Sequence, residues 1–297
     1  MKKILNFGSL NIDCVYAVPH FTAPGETQTC TSLQHFPGGK GLNQSIALGR
    51  TGVSVYHAGK IGKDGDFLVR TLQDANVDTS FILRGEMPTG NAIIEVDSSG
   101  ENRILLYSGA NRNISTEEIT ATFDAFEPGT ILLLQNEINN IEFLIREGYK
   151  RGFYTVWNPA PCTKDVPTMP IELVKIVFVN ETEAAQLANK PQDTPPAELA
   201  DILTDLYPET EFVLTLGANG VLYAFGKDKR ISVKAIPVDV VDTTAAGDTF
   251  TGYYLASLLR GYPVEKILEY AVKAAGISVS RHGAAPSIPS ADEVFDE

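Results

Sequence analysis

One stretch of the chain, Val240–Phe250, combines small residues with an acidic residue in a pattern that suits anion chemistry. It follows an apolar segment and leads into a helix pattern, so it predicts a strand-to-helix turn. Small residues at such a turn, here Ala245, Ala246 and Gly247, leave backbone N–H groups uncovered. The three expected to face an anion, where the helix dipole favours one, are those of Ala246, Gly247 and Asp248. Asp248 follows directly, and its carboxylate could be the general base when a hydroxyl attacks a phosphate.

The same stretch also has a purely structural interpretation. Aspartate is a favoured N-cap residue, and small residues let a turn close. On this stretch alone, a capping role for Asp248 is the simpler interpretation. Common nucleotide motifs do not decide the matter, because the sequence has no P-loop, no G-x-G-x-x-G motif opening a helix after a strand, and no protein-kinase H-R-D and D-F-G pattern.

The elements that would position this stretch alternate along the chain between strand and helix patterns. This alternation predicts a three-layer α/β fold in a single domain over residues 1–297, with a central, mostly parallel sheet flanked by helices. Two extended pieces, at about 12–36 and 90–108, stand outside the alternation. They predict a small separate β-sheet that forms a lid.

Apolar runs and the breakers around them predict the limits of several elements. A strand is expected at Ile131–Gln135, and helices at Pro196–Leu206, Asp248–Leu259 and Val264–Ser280. No regular element is predicted between about 109 and 130.

Polar and glycine-rich motifs follow the predicted strands at four places. The carboxyl ends of parallel strands share one edge of a sheet, where α/β proteins bind ligands, so these motifs are expected to converge. They are Gly8–Asp13, Pro37–Asn43, Gln135–Glu137 and Asp242–Asp248.

Together these motifs resemble those of the ribokinase family of sugar kinases. The resemblance runs in chain order from about residue 4 to 290, which makes it far more specific than any single motif. It also favours the catalytic interpretation of Asp248. The matching segments are G-S-x-N-x-D at Gly8–Asp13, P-G-G-K-G-x-N-Q from Pro37, Thr89–Ala92, Gly109–Asn111, Asn158–Pro161, Asn180–Glu183, Thr215–Gly217 and Asp242–Asp248.

The resemblance implies a set of sugar ligands in addition to the base Asp248. They are Asn11, Asp13, Gly39, Lys40, Asn43 and Glu137. From the residues alone, Asn11 and Asp13 could equally form an Asx turn, and the glycines beside Lys40 a flexible turn before a helix. Glu137 follows a buried strand, where an unpaired carboxylate would be costly, although a solvated loop acid is the alternative.

The resemblance also implies an ATP site and two cations. Its nucleotide-binding residues are Asn180, Thr215, Gly217, Gly220 and Gly247. Phosphoryl transfer calls for Mg²⁺ on the phosphates, and Glu183 matches the family's magnesium region. A monovalent cation, expected to be K⁺, is implied at Asp242, Thr244, Ser278, Arg281, Gly283 and Ser287. As bare patterns, Thr215–Gly220 is a β-turn and Asn180–Glu183 a helix start.

Composition argues against several other classes of protein. The formal net charge of −13 opposes nucleic-acid binding. No apolar run approaches the roughly 18 residues of a membrane span, and polar residues interrupt the apolar region that a signal peptide needs. The three cysteines form no C-x-x-C pair, which indicates a reducing compartment and a cytoplasmic protein.

The implied activity is ATP-dependent phosphorylation of the 5-hydroxyl of D-ribose, in a homodimer joined through the lid. A sibling kinase for deoxyribose, fructose or a nucleoside such as pseudouridine is the first alternative. A sugar-binding regulator without catalysis is the second, and the intact Asp248 turn weighs against it. Two positions depart from the family pattern. Leu42 stands in place of alanine, which concerns the fit of the sugar, and Val272–Ala274 lacks an Asn, which concerns the fit of the adenine base.

Overall fold

The computed structural model describes residues 3–296, so the predicted domain's first two residues and its last lie outside the description. The strands are β1 Ile4–Phe7, β2 Asn11–Ala17, β3 Ser32–Gly38, β4 Val55–Ile61, β5 Asp78–Arg84, β6 Gly90–Val96, β7 Asn102–Tyr107, β8 Ile131–Gln135, β9 Tyr154–Asn158, β10 Ile176–Asn180, β11 Glu211–Thr215, β12 Val221–Phe225 and β13 Lys229–Val233. The α-helices are α1 Lys40–Arg50, α2 Asp66–Asp74, α3 Thr116–Phe123, α4 Ile141–Lys150, α5 Glu181–Leu187, α6 Pro196–Leu206, α7 Ala246–Leu259, α8 Val264–Val279 and α9 Ala291–Val294.

The main sheet has nine strands in the order β13-β12-β11-β10-β9-β8-β1-β4-β5. All neighbours from β5 to β11 pair in parallel, and the β12–β13 hairpin adds an antiparallel edge. The chain builds outwards from β1 in both directions, towards β4 on one side and β8 on the other. Ligands of open α/β sheets bind at such a reversal, beyond the carboxyl ends of the strands.

Helices cover both faces of this sheet. Side chains along each central strand alternate between the two faces, so each face forms its own core with the helices that pack on it. Ile131 and Leu133 of β8 enter the core that contains residues of α1, α7 and α8, whereas Leu132 and Leu134 enter the core that contains residues of α3 to α6. Strands buried on both faces are expected to be apolar throughout, as β8 is. The predicted three-layer α/β fold is therefore confirmed.

The second sheet is the predicted lid, with the strand order β3-β2-β6-β7. β2 pairs in parallel with β6, and the two outer pairs are antiparallel. β2 follows β1 after three residues, and β3 ends where α1 begins, so the lid joins the main sheet at the edge where the polar motifs were expected. Its outer strand β7 is apolar yet exposed, with Ile104 at 61% and Leu105 at 69%.

Two helices were not predicted from the sequence, α3 and the short α9. α3 begins with a capping box, in which the Ser115 side chain accepts from the Glu118 N–H and the Glu118 carboxylate accepts from the Ser115 N–H. The S-x-x-E pattern was therefore available in the sequence. Within the described residues, no helix is long and apolar enough to cross a membrane.

Candidate active site

The N-terminus of α7 forms the turn predicted to hold an anion. Ala245 has a left-handed backbone, with φ of 61°, and α7 begins at Ala246. The N–H groups of Gly247 and Asp248 meet no acceptor in the described chain, whereas the Ala246 N–H donates to the Thr243 carbonyl at 3.3 Å. Two uncovered N–H groups, rather than the three that were expected, thus stand at the positive end of a long helix.

Asp248 is the third residue of α7, so the interpretation of this residue as the N-cap is wrong. The N-cap is Ala245, which offers no side-chain acceptor. The Asp248 side chain is buried, and its Oδ1 accepts from Gln44 Nε2 at 2.9 Å while its Oδ2 accepts from Asn43 Nδ2 at 3.1 Å. The Asp248 carboxylate therefore binds two amide donors from α1 and does not cap the N-terminus of α7.

A close approach between α1 and the end of β1 brings the other motifs together. A Cβ atom on Gly41 would lie 2.3 Å from the Ser9 nitrogen, so only glycine allows this packing. Ser9 Oγ accepts from the Gly41 N–H at 3.1 Å and donates to Glu137 Oε2. The same Glu137 oxygen accepts from the Lys40 N–H at 2.9 Å. Burial raises the pKa of the Glu137 carboxyl, and the charge of Lys40 opposes that rise.

The lid contributes two further polar side chains, which share one face of β2 because they are two residues apart. Asn11 Oδ1 accepts from Asn111 Nδ2 at 2.8 Å. Burial and the neighbouring charge of Glu137 raise the pKa of Asp13 to about 6, and no residue in the described chain donates a hydrogen bond to it. Asn43 Oδ1 is likewise buried without a partner among these residues. Such free acceptors suit the hydroxyl donors of a polyol.

The Lys40 side chain faces the other way, into a small cavity. Its pKa is raised chiefly by the charge of Asp248, with smaller effects from Glu137 and Glu183. The cavity has a volume of about 270 Å³. Its lining also includes Asn158, Asn180, Glu183, Thr215 and residues 245–248. The structure thus gives Lys40 two roles, with its N–H on Glu137 and its ammonium group beside Asp248.

A larger cavity of about 650 Å³ adjoins the small one and shares part of its lining. All the residues predicted to bind nucleotide line it, namely Asn180, Thr215, Gly217, Gly220 and Gly247. Its other side is mainly apolar and includes Ile236, Val238, Val272 and Val279. An apolar cavity that ends in uncovered N–H groups can accept a flat base at one end and phosphates at the other.

The family follows from comparison with known proteins. Residues 1–291 match the profile described as "pfkB family carbohydrate kinase". The chain belongs to this family. It is thus a carbohydrate kinase of ribokinase-like structure, and the resemblance seen in the sequence is confirmed.

Several members of the family are similar to this chain over its whole length. A ribokinase of Haemophilus influenzae is 36% identical over 100% of this chain and 98% of its own. A deoxyribokinase of Salmonella typhi is 29% identical over 98% and 96% of the two chains. Among solved structures, ribokinase of Cryptococcus neoformans with ADP has a TM-score of 0.90 at 30% identity, covering 99% of both chains. Arabidopsis thaliana ribokinase with ribose and ATP has a TM-score of 0.88 at 27% identity, covering 99% and 98%.

For a carbohydrate kinase, the region around Glu183 is the part of the site suited to a divalent cation. Asn180 and Glu183 form a capping box at the start of α5, as the bare pattern suggests, and both also line the small cavity. Burial raises the pKa of Glu183. Residues 3–296 contain no group of three or more His, Cys, Asp or Glu side chains placed to hold a metal ion. One carboxylate with phosphate oxygens and water is a common way to bind Mg²⁺, so Glu183 fits that ion.

The residues predicted to hold a monovalent cation fall into three groups. Asp242 Oδ1 accepts from the Thr244 N–H and hydroxyl, and Oδ2 accepts from the Gly283 N–H at 2.9 Å. Although burial works against it, these hydrogen bonds lower the pKa of Asp242. Ser278 and Ser287 form a separate hydroxyl pair, and the Arg281 guanidinium pairs with Glu293. No Lys or Arg in the described chain pairs with Asp242, so its charge fits a cation there.

Three side chains that contact candidate site residues were not singled out from the sequence, although all lie within the motifs that carried the resemblance. Ser9 supports Glu137, Asn111 holds Asn11, and Gln44 holds Asp248. Their contacts join residues far apart in the chain, so their motifs mark them without indicating what they touch.

Gly247 offers a direct test of the anion turn. A Cβ atom built on it meets no atom of residues 3–296 within 4 Å, and its backbone φ is not positive. We expect Gly247→Ala to fold and to gain about 0.5–1 kcal/mol of stability, as in other helices. Its methyl group would project into the cavity, so kcat/KM for the nucleotide should fall by at least ~10-fold. Steady-state kinetics and chemical denaturation together check this, and unchanged kinetics would place the phosphates elsewhere.

Proposed function

We propose that the protein transfers the γ-phosphoryl group of ATP to the 5-hydroxyl of D-ribose, giving ribose 5-phosphate and ADP. The observation that supports this most directly is the position of Asp248. Its carboxylate is buried between the acceptors contributed by the lid and α1 and the cavity that ends at the α7 N-terminus. A hydroxyl on one side and a phosphate on the other would both lie within its reach.

The sugar is bound by Asn11, Asp13, Gly39, Asn43 and Glu137, which offer several hydrogen-bond acceptors around one space. Asp248 takes the proton of the 5-hydroxyl as the hydroxyl oxygen of the sugar attacks the γ-phosphorus. The bond from phosphorus to the bridging oxygen breaks, and ADP leaves. The N–H groups of Gly247 and Asp248 stabilise the negative charge on the transferred group, and the Lys40 ammonium, beside Asp248, neutralises part of it.

Two cations complete the proposed site. Mg²⁺ bound near Glu183 would neutralise charge on the nucleotide phosphates, while Asn180, Thr215, Gly217 and Gly220 orient the nucleotide. K⁺ held near Asp242 and Thr244, with Ser278, Arg281, Gly283 and Ser287 contributing through backbone or hydroxyl oxygens, would add positive charge behind the anion turn. Asp242 also ties residue 283 to the loop that precedes α7, so it connects the two segments around that ion.

The acceptor is tested by measuring ADP release across a panel of sugars and nucleosides. Ribose should give the highest kcat/KM. Higher turnover with deoxyribose, fructose or pseudouridine would instead support a sibling kinase, and the similarity to a deoxyribokinase makes deoxyribose the most important rival to include. Binding of sugar without turnover of any acceptor would support the regulator.

Activation by K⁺ is a further expected result. Asp242 lies three residues before Ala245, where the anion turn begins, so an ion bound there should change phosphate affinity by a coupling of about 5- to 150-fold. Rates measured in KCl should exceed those in tetramethylammonium chloride at equal ionic strength by a factor in this range. Equal rates in the two salts would remove the cation from the proposal.

The lid supports a homodimer as part of the same proposal. Phe36, Ile104, Leu105, Leu106 and Tyr107 are exposed apolar residues on its strands. Ile104 and Leu106 share one face of β7, and exposed apolar residues on a lid strand are the kind of surface that a second copy would cover. Sedimentation equilibrium giving the mass of one chain would contradict this.

The free cysteines Cys14, Cys30 and Cys162 support a cytoplasmic location.

A further inference from the structure

A chain of buried amide side chains connects the proposed base to the interior of the protein. Gln44 Nε2 donates to Asp248 Oδ1 at 2.9 Å and to Asn158 Oδ1 at 3.2 Å. Gln44 Oε1 accepts from Gln135 Nε2 at 2.6 Å. Gln135 Nε2 in turn donates its second hydrogen to Asn6 Oδ1 at 3.0 Å.

The chain continues to a buried histidine. Asn6 Nδ2 donates to the Gly41 carbonyl and to Ser45 Oγ, both at 2.8 Å. Ser45 Oγ lies 2.8 Å from His57 Nδ1. Burial lowers the pKa of His57 to about 3, so this end of the chain is neutral near pH 7.

The direction of each amide follows from its neighbours. Both amide hydrogens of Asn6, Gln135 and Gln44 are used, and the side-chain oxygens of Asn6 and Gln44 both accept from Gln135. The side-chain oxygen of Gln135 itself has no partner among the described residues. Rotating Gln44 by half a turn would set its NH₂ group against the NH₂ of Gln135 and its oxygen against Asp248. The amide hydrogen of Gln44 that meets Asp248 is therefore fixed on its far side by Gln135, which lines neither cavity.

Burying so many polar groups is costly, and apolar residues of equal size would pack here at less cost. Asn6, Gln44 and Ser45 are fully buried, and Gln135 is 1% exposed. Among the residues that the structure describes, the one charged group that these amide side chains contact is Asp248. Such an arrangement fixes a carboxylate in one rotamer before substrate arrives, which is the preorganisation that general-base catalysis needs.

From this geometry we infer that Gln44 is a positioning residue for Asp248, oriented by Gln135 and Asn6, and that it sets the angle at which the carboxylate meets the sugar hydroxyl. The inference rests on the proposed role of Asp248 as base. Gln44 should act on the chemical step and leave sugar binding almost unchanged, because Asn43 and not Gln44 carries the free acceptor on the sugar side.

The test is a double-mutant cycle on kcat with the sugar that turns over best. Gln44→Met keeps the size of the side chain and removes the donor, so kcat should fall about 10- to 100-fold while the sugar KM changes less than about threefold. In an Asp248→Asn background, the same change should alter kcat less than about twofold, since the group it positions is already lost.

A second variant and a control keep the test decisive. Gln44→Glu preserves the acceptor for Gln135 but sets a carboxylate against Asp248, so kcat should fall further than in Gln44→Met, and it replaces that variant in the cycle if Gln44→Met does not fold. Thr155→Val, a buried change in β9, should leave kcat at the wild-type value.

The outcomes separate the inference from the proposed function. Wild-type kcat in Gln44→Met, or equal losses in both backgrounds, overturns the positioning role while the proposed function stands. Full turnover by Asp248→Asn alone overturns the base assignment and the inference with it. A loss of kcat that Gln44→Met causes only when Asp248 is intact supports both the positioning role and the proposed function.

Discussion

Replacing Asp248 with asparagine is expected to lower kcat by roughly 10²- to 10⁴-fold, the usual effect of removing a general base. This corresponds to about 3–5 kcal/mol of transition-state stabilisation. Asparagine keeps the shape of the side chain, so the sugar KM should change little. The variant loses the charge that raises the pKa of Lys40, but the uncovered N–H groups of α7 remain. Initial rates of ADP release, with sugar affinity measured by calorimetry, check the expectation.

A matched control is Asp74→Asn, which removes an exposed acid at the end of α2. It makes the same chemical change far from the site, so kcat should not change. If Asp248→Asn retained near-wild-type turnover, the base would have to be another group. Glu137 would then be examined first, because after Asp248 it is the carboxylate whose charge raises the pKa of Lys40 most.

Much of the fold could be predicted because strong local patterns agree with the tertiary structure. β8 and α6 have the predicted bounds, since an apolar run and a proline-led helix leave little choice. The lid was predicted from strand patterns that lie outside the α/β alternation. α3 was missed because its helical pattern is short and only its capping box marks it.

The site could be predicted less completely, for a physical reason. Motifs indicate which residues converge, but a side chain's role depends on what it faces across the fold. Gln44 and Asp248 are 204 residues apart in the chain, and no local pattern reports their contact. Likewise, the prediction that Asp248 is the N-cap was wrong, because the left-handed Ala245 is the N-cap, three residues earlier. That conformation is rare outside glycine, so the sequence does not suggest it.

Replacing Asp13 with asparagine is expected to raise the sugar KM by about 10- to 100-fold, because the ligand hydroxyls lose a charged acceptor. In the wild type this acceptor is ionised only above its raised pKa of about 6. The wild-type sugar KM should therefore rise as the pH falls below 6, and the dependence should be flatter in Asp13→Asn. Steady-state kinetics between pH 5 and 8 measure both effects. A wild-type KM that stays constant over this range would contradict the role of Asp13.

The same substitution is expected to stabilise the protein near pH 7. Burial raises the Asp13 pKa from 3.8 to about 6, so the folded state binds more protons than the unfolded state between these values. Its contribution is therefore most favourable below pH 4 and is lost as the pH rises through 6. At pH 7 the charged form carries the full penalty, and asparagine should recover about 1–2 kcal/mol after allowance for solvent screening.

Denaturation of both proteins at pH 4 and pH 7 isolates this effect, because the other titrating groups are common to the two. The difference in unfolding free energy should be near zero at pH 4 and favour asparagine at pH 7. A difference independent of pH would mean that ionising Asp13 in the folded state does not destabilise the protein. Since the lid holds Asp13 beside Glu137 with no donor from the described chain, that cost is best explained by the ligand whose hydroxyls would supply the missing hydrogen bonds.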